Sequence, residues 1–421
     1  MTAAVCVDVG STYTKACRID LSTGVMLGRA EVPTTAASDV LAGLDAAVAA
    51  VSDDKTDHLY VCSSAGGGLR LAVVGYEALV TAEAGHRVGL SAGAQVVHVA
   101  SGLLDGRAVT ALRASRPDVI LLVGGTDGGD SSVLMHNARR LSTSRLRVPV
   151  VVAGNADTSH LAAGLLAARN ISVTVTGNVL PRIGVLDPGP ARAAIRDVFL
   201  RHVIGGKRLS RGGRFASLVR AATPDAVLAG VELLADLTGT GVLVVDVGGA
   251  TTDVYSALVP DAELTEGPRR DVAGTLWRAR TVEGDLGVAA GAAGTVAAAT
   301  AEKLALPETG LPPTPESDRS LAAAAAIVAL RRHARGHSPG PGEPRTGGRD
   351  LRDVRLVVGS GGVLRHGGGR YVLEAVLADT AGGWAAPVTA RTVVDERYVL
   401  AAAGLLAIDH RDAAAALVNT L

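Results

Sequence analysis

A nine-residue phrase occurs twice in this chain of 421 residues, and that repeat restricts the fold more than any other feature. Residues 7–15 read Val-Asp-Val-Gly-Ser-Thr-Tyr-Thr-Lys, and residues 245–253 read Val-Asp-Val-Gly-Gly-Ala-Thr-Thr-Asp. Each copy is an apolar, β-branched run that ends in an acid, turns through Gly and small residues, and re-enters a β-like run. One such turn alone is ordinarily a tight β-turn. Two copies, one in each half, point to a duplicated, two-lobed protein carrying the same strand–turn–strand device twice.

The chemistry of one copy follows from its residue types. A strand that ends in Gly before small residues lets consecutive backbone N–H groups converge on an anion that bulky side chains would keep away. Gly10, Ser11 and Thr12 do this in the first copy, and Gly248, Gly249, Ala250 and Thr251 in the second. Hydroxyls of Ser11, Thr12, Thr251 and Thr252 add donors. Lys15 can reach a phosphate as a point charge. Its presence is informative because lysine occurs here only at positions 15, 55, 207 and 303. Asp8 and Asp246 stand where the strands end, so each can hold a hydrated divalent cation beside phosphates. The two copies together predict a nucleotide site, with Asp8 and Asp246 as metal-holding and catalytic candidates.

Along the chain, strands are expected at 4–9, 14–20 and 25–32, a helix at 37–52 and a strand at 58–62. From about 95 to 176, strands alternate with helix-length segments, which implies right-handed βαβ crossovers and a mostly parallel sheet. A helical region around 191–235 leads to a second hairpin at 241–259, and a helix-like Ala/Gly tract covers 286–304. Residues 334–350 are rich in turn formers and read as an exposed loop. A strand at 354–358, a Gly loop at 359–362 and an Ala-rich helix at 397–408 close the chain.

Composition narrows the class. Lys plus Arg (41) balance Asp plus Glu (41), so no net field draws the molecule to nucleic acid or an acidic membrane. At 2% aromatics, base-stacking platforms are not expected. No apolar run approaches a membrane span, and the chain opens directly into a strand without a leader pattern. Cys6, Cys17 and Cys62 are an odd set without CxxC spacing, as expected of reduced thiols in a cytoplasmic protein. No P-loop, GxGxxG fingerprint or HExxH appears.

With "VVGSGGVL" at 357–364, the paired motifs resemble the superfamily of actin, heat-shock chaperone and sugar-kinase ATPases. The resemblance implies an α/β, two-lobed actin-like ATPase fold, ribonuclease H-like and duplicated, with ATP and Mg2+ as ligands. It assigns Asp8, Gly10, Ser11, Thr12 and Lys15 to phosphate 1, and Asp246, Gly248, Gly249, Ala250 and Thr251 to phosphate 2. Gly359, Ser360, Gly361 and Gly362 form the adenosine loop. Many relatives carry a third glycine where this chain has Ala250. The expected organisation is an N-terminal lobe over 1–240, holding a βαβ insertion at about 63–235, and a C-terminal lobe over 241–421 with a flexible loop at about 334–350.

Further stretches narrow the resemblance: "CSSAGGGLRLAVVG" (62–75), an Ala/Gly-rich stretch over 79–96, "LLVGGTDGGD" (121–130), "VVVAGN" (150–155), "VVDVGGATTDVYS" (244–256) and "RTVEGDLG" (280–287). Over about 4–290 the chain resembles the MutL family of glutamate mutase, the accessory proteins of that cobalamin enzyme. The resemblance implies an ATP-binding chaperone or reactivating factor with slow ATP hydrolysis and a cobalamin-dependent mutase as partner. A homodimer is compatible with the sequence. None of the ten His lies in an Asp-x-His-x-x-Gly setting, so the chain is not expected to ligate cobalamin in that way. A small-molecule kinase on the same fold and a non-catalytic ATP-binding scaffold are the alternatives. Asp127 and Asp130 read either as helix-capping turn residues or as a second polar site. Glu283 and Asp285 read either as helix caps or as cleft residues near metal or water.

Overall fold

The computed structural model describes residues 2–36, 38–52, 57–65, 69–75, 85, 89, 94–199, 201, 209–210, 212–259, 277–306, 314–336 and 348–421. Most of the Ala/Gly-rich stretch at 79–96, Gly66 to Gly68, and 337–347 of the expected loop lie outside the described residues. The chain divides into two compact units, one reaching from Met1 to Ala226 and one built from Val227–Val259 and Trp277–Leu421.

In the first unit, β1 (Ala3–Val9), β2 (Tyr13–Asp20) and β3 (Met26–Pro33) form an antiparallel meander. Helix α1 (Val40–Ala49), capped where the Asp39 carboxylate accepts from the Leu41 amide, leads to β4 (His58–Ser63), which pairs parallel to β1. The chain then leaves this sheet and builds a second one. Its strands are β5 (Arg70–Gly75), β6 (Gln95–Ser101), β7 (Val119–Leu122), β8 (Val150–Val152) and β9 (Val173–Val175), all parallel, in the order β6-β5-β7-β8-β9. Helices α2 (Gly106–Ala114), α3 (Ser132–Thr143) and α4 (Ala156–Ala167) supply its later crossovers, and α5 (Gly189–Val198) follows it.

The alternation predicted over 95–176 is present, and its physical cause is two-sided burial. Leu71, Val73, Leu121 and Val151 face a core shared with Val5, Val7 and Val9 of β1, while Ala72, Val74, Ile120, Leu122 and Val152 pack with α2, α3 and α4. A sheet covered on both faces needs the near-continuous apolar strands seen here. Arg70–Gly75, which ends the Gly-rich stretch at 62–75, is an interior strand of this sheet. The region expected to be helical at 191–235 is interrupted. After α5 and the short α6 (Arg214–Leu218), β10 (Val219–Ala222) returns to the first sheet parallel to β4, and α7 (Thr223–Thr238) starts immediately. Four residues are too few for periodicity to reveal a strand.

The second unit repeats the first sheet. β11 (Gly241–Val247), β12 (Thr252–Ala257) and β13 (Arg278–Glu283) form an antiparallel meander; β14 (Val354–Ser360) pairs parallel to β11, and β15 (Arg391–Val394) parallel to β14. The orders β10-β4-β1-β2-β3 and β15-β14-β11-β12-β13 are the same topology with the same strand directions. This is the duplicated α/β architecture expected from the repeated phrase, of the actin-like kind that the resemblance implied, with the all-parallel sheet inserted between the fourth and fifth strands of the first copy.

Leu243, Val245 and Val247 bury against α8 (Ala292–Ala301), α9 (Pro315–Arg335) and α10 (Gly369–Ala378); α11 (Val399–Leu406) and α12 (Arg411–Val418) end the chain. The 286–304 tract is helical only over α8, and Glu283, read either as a helix cap or as a cleft residue, is the last residue of strand β13. Helix α9 was not anticipated, although its start is written locally. Thr314 and Ser317 make a reciprocal capping box, Pro315 opens the first turn, and Glu316 and Asp318 complement the dipole. Its last turn takes in 334–335, the beginning of the expected loop, and the Arg349 amide donates to the Ala334 carbonyl at 2.8 Å.

Candidate functional site

The two copies of the phrase fold into the same turn. The Gly10 amide donates to the Tyr13 carbonyl at 3.0 Å, and the Gly248 amide to the Thr251 carbonyl at 2.9 Å. A Cβ on Gly10 would stand 2.7 Å from that carbonyl oxygen, and one on Gly248 3.0 Å from its counterpart, so the close return of the chain excludes a side chain at Gly10 and leaves little room for one at Gly248. Ser11, Thr12, Gly249 and Ala250 are exposed or nearly so at the tips. Among the described residues their amides carry no hydrogen bond, which leaves two donors on each turn for an anion.

In the first unit Asp8 stands at the end of β1, opposite Lys15 on β2 and Cys62 on β4. Its Oδ1 accepts a short hydrogen bond from the Thr223 hydroxyl and a longer one, 3.7 Å, from the Cys62 thiol. Burial, then the Asp8 charge, pushes the Cys62 thiol well up, which keeps it a protonated donor. Cys6 is likewise raised, first by its side-chain hydrogen bond with Cys17 and then by burial. All three cysteines are buried, free thiols. The turn is braced from outside: Thr34 Oγ1 donates to the Gly10 carbonyl at 2.9 Å, and the Ser64 and Ala65 amides to the Val9 carbonyl. Lys15 is half-buried, flanked across the sheet by Asp8 on one side and Glu31 on the other.

In the second unit Asp246 occupies the same place on β11, opposite Ser360 of β14 and Asp253 of β12. Asp253 replaces the lysine of the first copy and is paired with buried Arg280 at 2.8 Å, so the sign of the neighbouring charge is reversed and then neutralised. The structure brings together the two segments expected to be phosphate 2 and the adenosine loop. Gly361, at φ +102°, lies against the Val247 carbonyl, one residue before Gly248. The phosphate 2 turn is also clamped from beneath by residues 287–291: the Val288 amide donates to the Gly248 carbonyl and those of Ala289 and Gly291 to the Gly249 carbonyl. Gly359, Ser360 and Gly361 are buried in this junction and Gly362 is exposed.

Glu283 and Asp285 cap no helix, since α8 begins only at Ala292. Both bind the Arg332 guanidinium of α9, at 2.6 and 2.9 Å, beside the phosphate 2 turn. Burial raises the Glu283 carboxyl above its ordinary range, against the opposing pull of Arg332. Asp130 takes the bland role considered for it: its carboxylate accepts from the Ser132 amide and hydroxyl at the start of α3. Asp127 accepts from the Ala156 amide and from buried Asn178, which ties the β7–α3 loop to the ends of β8 and β9.

Four neighbours of the motifs escaped the sequence reading. Thr223 is 215 residues from Asp8 in sequence and lies in no recognisable motif. Arg365 stacks its guanidinium 3.5 Å from the ring centroid of Tyr398, close after the adenosine loop, and Tyr398 adopts a left-handed backbone at φ 58°. Only that unusual backbone marks the pair, and it is invisible before folding. Asp395 follows β15, buried, and accepts from the Val399 and Leu400 amides at the start of α11; burial raises its carboxyl. Among the described residues no group of three or more His, Cys, Asp or Glu is arranged to hold a metal, and no helix is long and apolar enough to cross a membrane.

A family model described as MutL protein matches residues 4–421. "Protein MutL" of Clostridium tetanomorphum is 33% identical over 459 aligned positions, covering 100% of this chain and 99% of the relative. Among solved structures, an inorganic polyphosphate/ATP-glucomannokinase of Arthrobacter sp. strain KM aligns at 13% identity, covering 100% of this chain and 99% of its own, with a TM-score of 0.30. Component A of the (R)-2-hydroxyglutaryl-CoA dehydratase of Acidaminococcus fermentans aligns at 10% identity, covering 98% and 100%, with a TM-score of 0.29.

Proposed function

This chain belongs to the MutL family, and from that premise we propose that it is an ATP-binding, ATP-hydrolysing accessory protein that reactivates a cobalamin-dependent mutase such as glutamate mutase. The observation that carries the nucleotide part is the repeated turn. The same amide–carbonyl bond, strand topology and terminal aspartate recur in both units, each with two unpaired amides at its tip among the described residues.

On this reading the amides of Ser11 and Thr12, and of Gly249 and Ala250, serve phosphate oxygens, Lys15 adds positive charge, and Gly359 to Gly362 lie along the adenosine. The residues present fit Mg2+ held mainly by phosphates and water: Asp8 and Asp246 each offer one carboxylate, and no denser ligand cage stands beside them among the described residues. Bound there, Mg2+ supplies charge neutralisation at the phosphates. One of the two, Asp8 or Asp246, would orient the attacking water, whose oxygen bonds to the γ-phosphorus as the bridging oxygen leaves with ADP. The surrounding donors are preorganised, so charge stabilisation is the main contribution of the protein. A conformational cycle driven by slow turnover would then act on the mutase and let damaged cofactor leave.

The test is to mix the protein with glutamate mutase inactivated by bound hydroxocobalamin, with and without MgATP, and to follow cobalamin release. Release that requires MgATP is expected. No release removes the reactivating role for that partner, while phosphoryl transfer from labelled ATP to a sugar or short acid would replace it with a kinase.

A further inference from the structure

The Asp8 carboxylate is held asymmetrically. Both of its hydrogen bonds, from Thr223 Oγ1 and from Cys62 Sγ, fall on Oδ1, and among the described residues Oδ2 receives none. A carboxylate with two donors on one oxygen cannot rotate freely about its last torsion, and its second oxygen is thereby aimed.

The placement of Thr223 is a product of strand register. The chain returns from the inserted sheet by β10, whose Ala222 pairs with Ser63 of β4, while Val9 of β1 pairs with the same Ser63. Thr223, the next residue after β10, therefore stands one step past the level of Val9, where its hydroxyl reaches back to Asp8 at the carboxyl ends of three adjacent parallel strands.

The second unit is an internal control. There the residue following the fifth strand is Asp395, and its carboxylate is used on the Val399 and Leu400 amides of its own helix. In the first unit the side chain that follows the last strand, Thr223, is directed onto the motif aspartate instead, although its register differs from that of Asp395. Helix start-up alone does not explain that choice, because Thr223 makes no such local bond among the described residues.

We propose that Thr223 is a positioning residue for Asp8. With Cys62 it pins Oδ1 so that Oδ2 is presented to the hydrated cation or attacking water. This rests on the nucleotide reading given above. Thr223 touches neither nucleotide nor metal itself; it acts through the carboxylate. Cys62 is the weaker partner, because a thiol at 3.7 Å is a poor donor, so the hydroxyl sets the orientation.

The experiment compares wild type, Thr223→Val and Thr223→Ser in three measurements: binding of a fluorescent ADP analogue without Mg2+, phosphate release across a Mg2+ titration, and the 13Cγ resonance of Asp8 in aspartate-labelled protein, assigned with Asp8→Asn. For Thr223→Val, kcat should fall about 10- to 100-fold and the half-saturating Mg2+ concentration should rise, as expected from losing one hydrogen bond to a charged group. Mg2+-free nucleotide binding should stay within about threefold, and Thr223→Ser should restore turnover to within about threefold. The Asp8 resonance should be single in wild type and Thr223→Ser, and broadened or split in Thr223→Val. Turnover of Thr223→Val equal to wild type, or Thr223→Ser as impaired as Thr223→Val, overturns the proposal. If wild type binds no nucleotide, the function proposed above falls, and the Asp8 resonance still decides whether Thr223 orients the carboxylate.

Discussion

Replacing Gly361 by alanine should damage the second unit far more than the same change at its neighbour Gly362. At Gly361 the backbone sits at φ +102°, and an added Cβ would overlap the Val247 carbonyl oxygen and lie 2.8 Å from its carbon. The oxygen belongs to β11, so relief cannot come from a side-chain rotation; β14 itself has to move. A non-glycine residue in this region costs about 1–3 kcal/mol in backbone strain, and forcing a group into a packed junction costs about 1–3 kcal/mol more. The expected destabilisation is therefore roughly 2–6 kcal/mol. At Gly362 a Cβ meets nothing within 4 Å, and the expected change is within about 0.5 kcal/mol. Both tryptophans, Trp277 and Trp384, lie in the second unit, so fluorescence-detected urea unfolding reads its transition directly. With a slope of about 2–3 kcal/mol per molar, Gly361→Ala should lower the midpoint by roughly 1 M or more. Equal midpoints for Gly361→Ala and wild type would refute the argument that this glycine is required by the approach of the 359–362 loop to β11. So would a comparable loss in Gly362→Ala.

Other outcomes follow from the same geometry. Asp246→Ala should reduce phosphate release at least 100-fold while leaving the urea transition close to wild type; unchanged turnover would favour a nucleotide-binding scaffold. His333 is buried, with Ser256 and Thr281 on its two ring nitrogens, and burial, reinforced by the charge of Arg349, holds its pKa well below the usual value. Below a pH of about 6.5 the unfolded chain takes up a proton that the native state refuses, so the stability of the second unit should be full above that pH and decline beneath it. His333→Gln should remove this part of the pH dependence in urea titrations. Arg331 is buried, binds Asp379 through two bonds of 2.8 and 2.7 Å, and also reaches Glu302. Arg331→Ala strands a buried carboxylate and should cost about 3–5 kcal/mol, whereas Arg370→Ala, which breaks a fully exposed pair with Glu374, should leave the urea midpoint close to wild type.

What could be read before folding depended on how local the information was. The phrase at 7–15 and 245–253 became two turns with the same bond because its glycines and β-branched residues act within a few positions. The alternating apolar segments after 95 became a parallel sheet because burial on both faces demands that pattern. Short elements were hidden: β10 and β15 have four residues each, and pairing partners far along the chain make them strands. The 70–75 segment reads as loop beside its glycines until β6 and β7 flank it.

By itself, then, the order of residues determined the duplicated device, the small, donor-rich tips and the acid at each strand end, since these are properties of contiguous segments. Tertiary structure decided what stands around each acid. Only strand register could bring Thr223 and Cys62 to Asp8, turn the lysine position of the first copy into an Asp253–Arg280 pair in the second, and lay Gly361 against β11. Those contacts link residues tens to hundreds of positions apart, and no local periodicity encodes them.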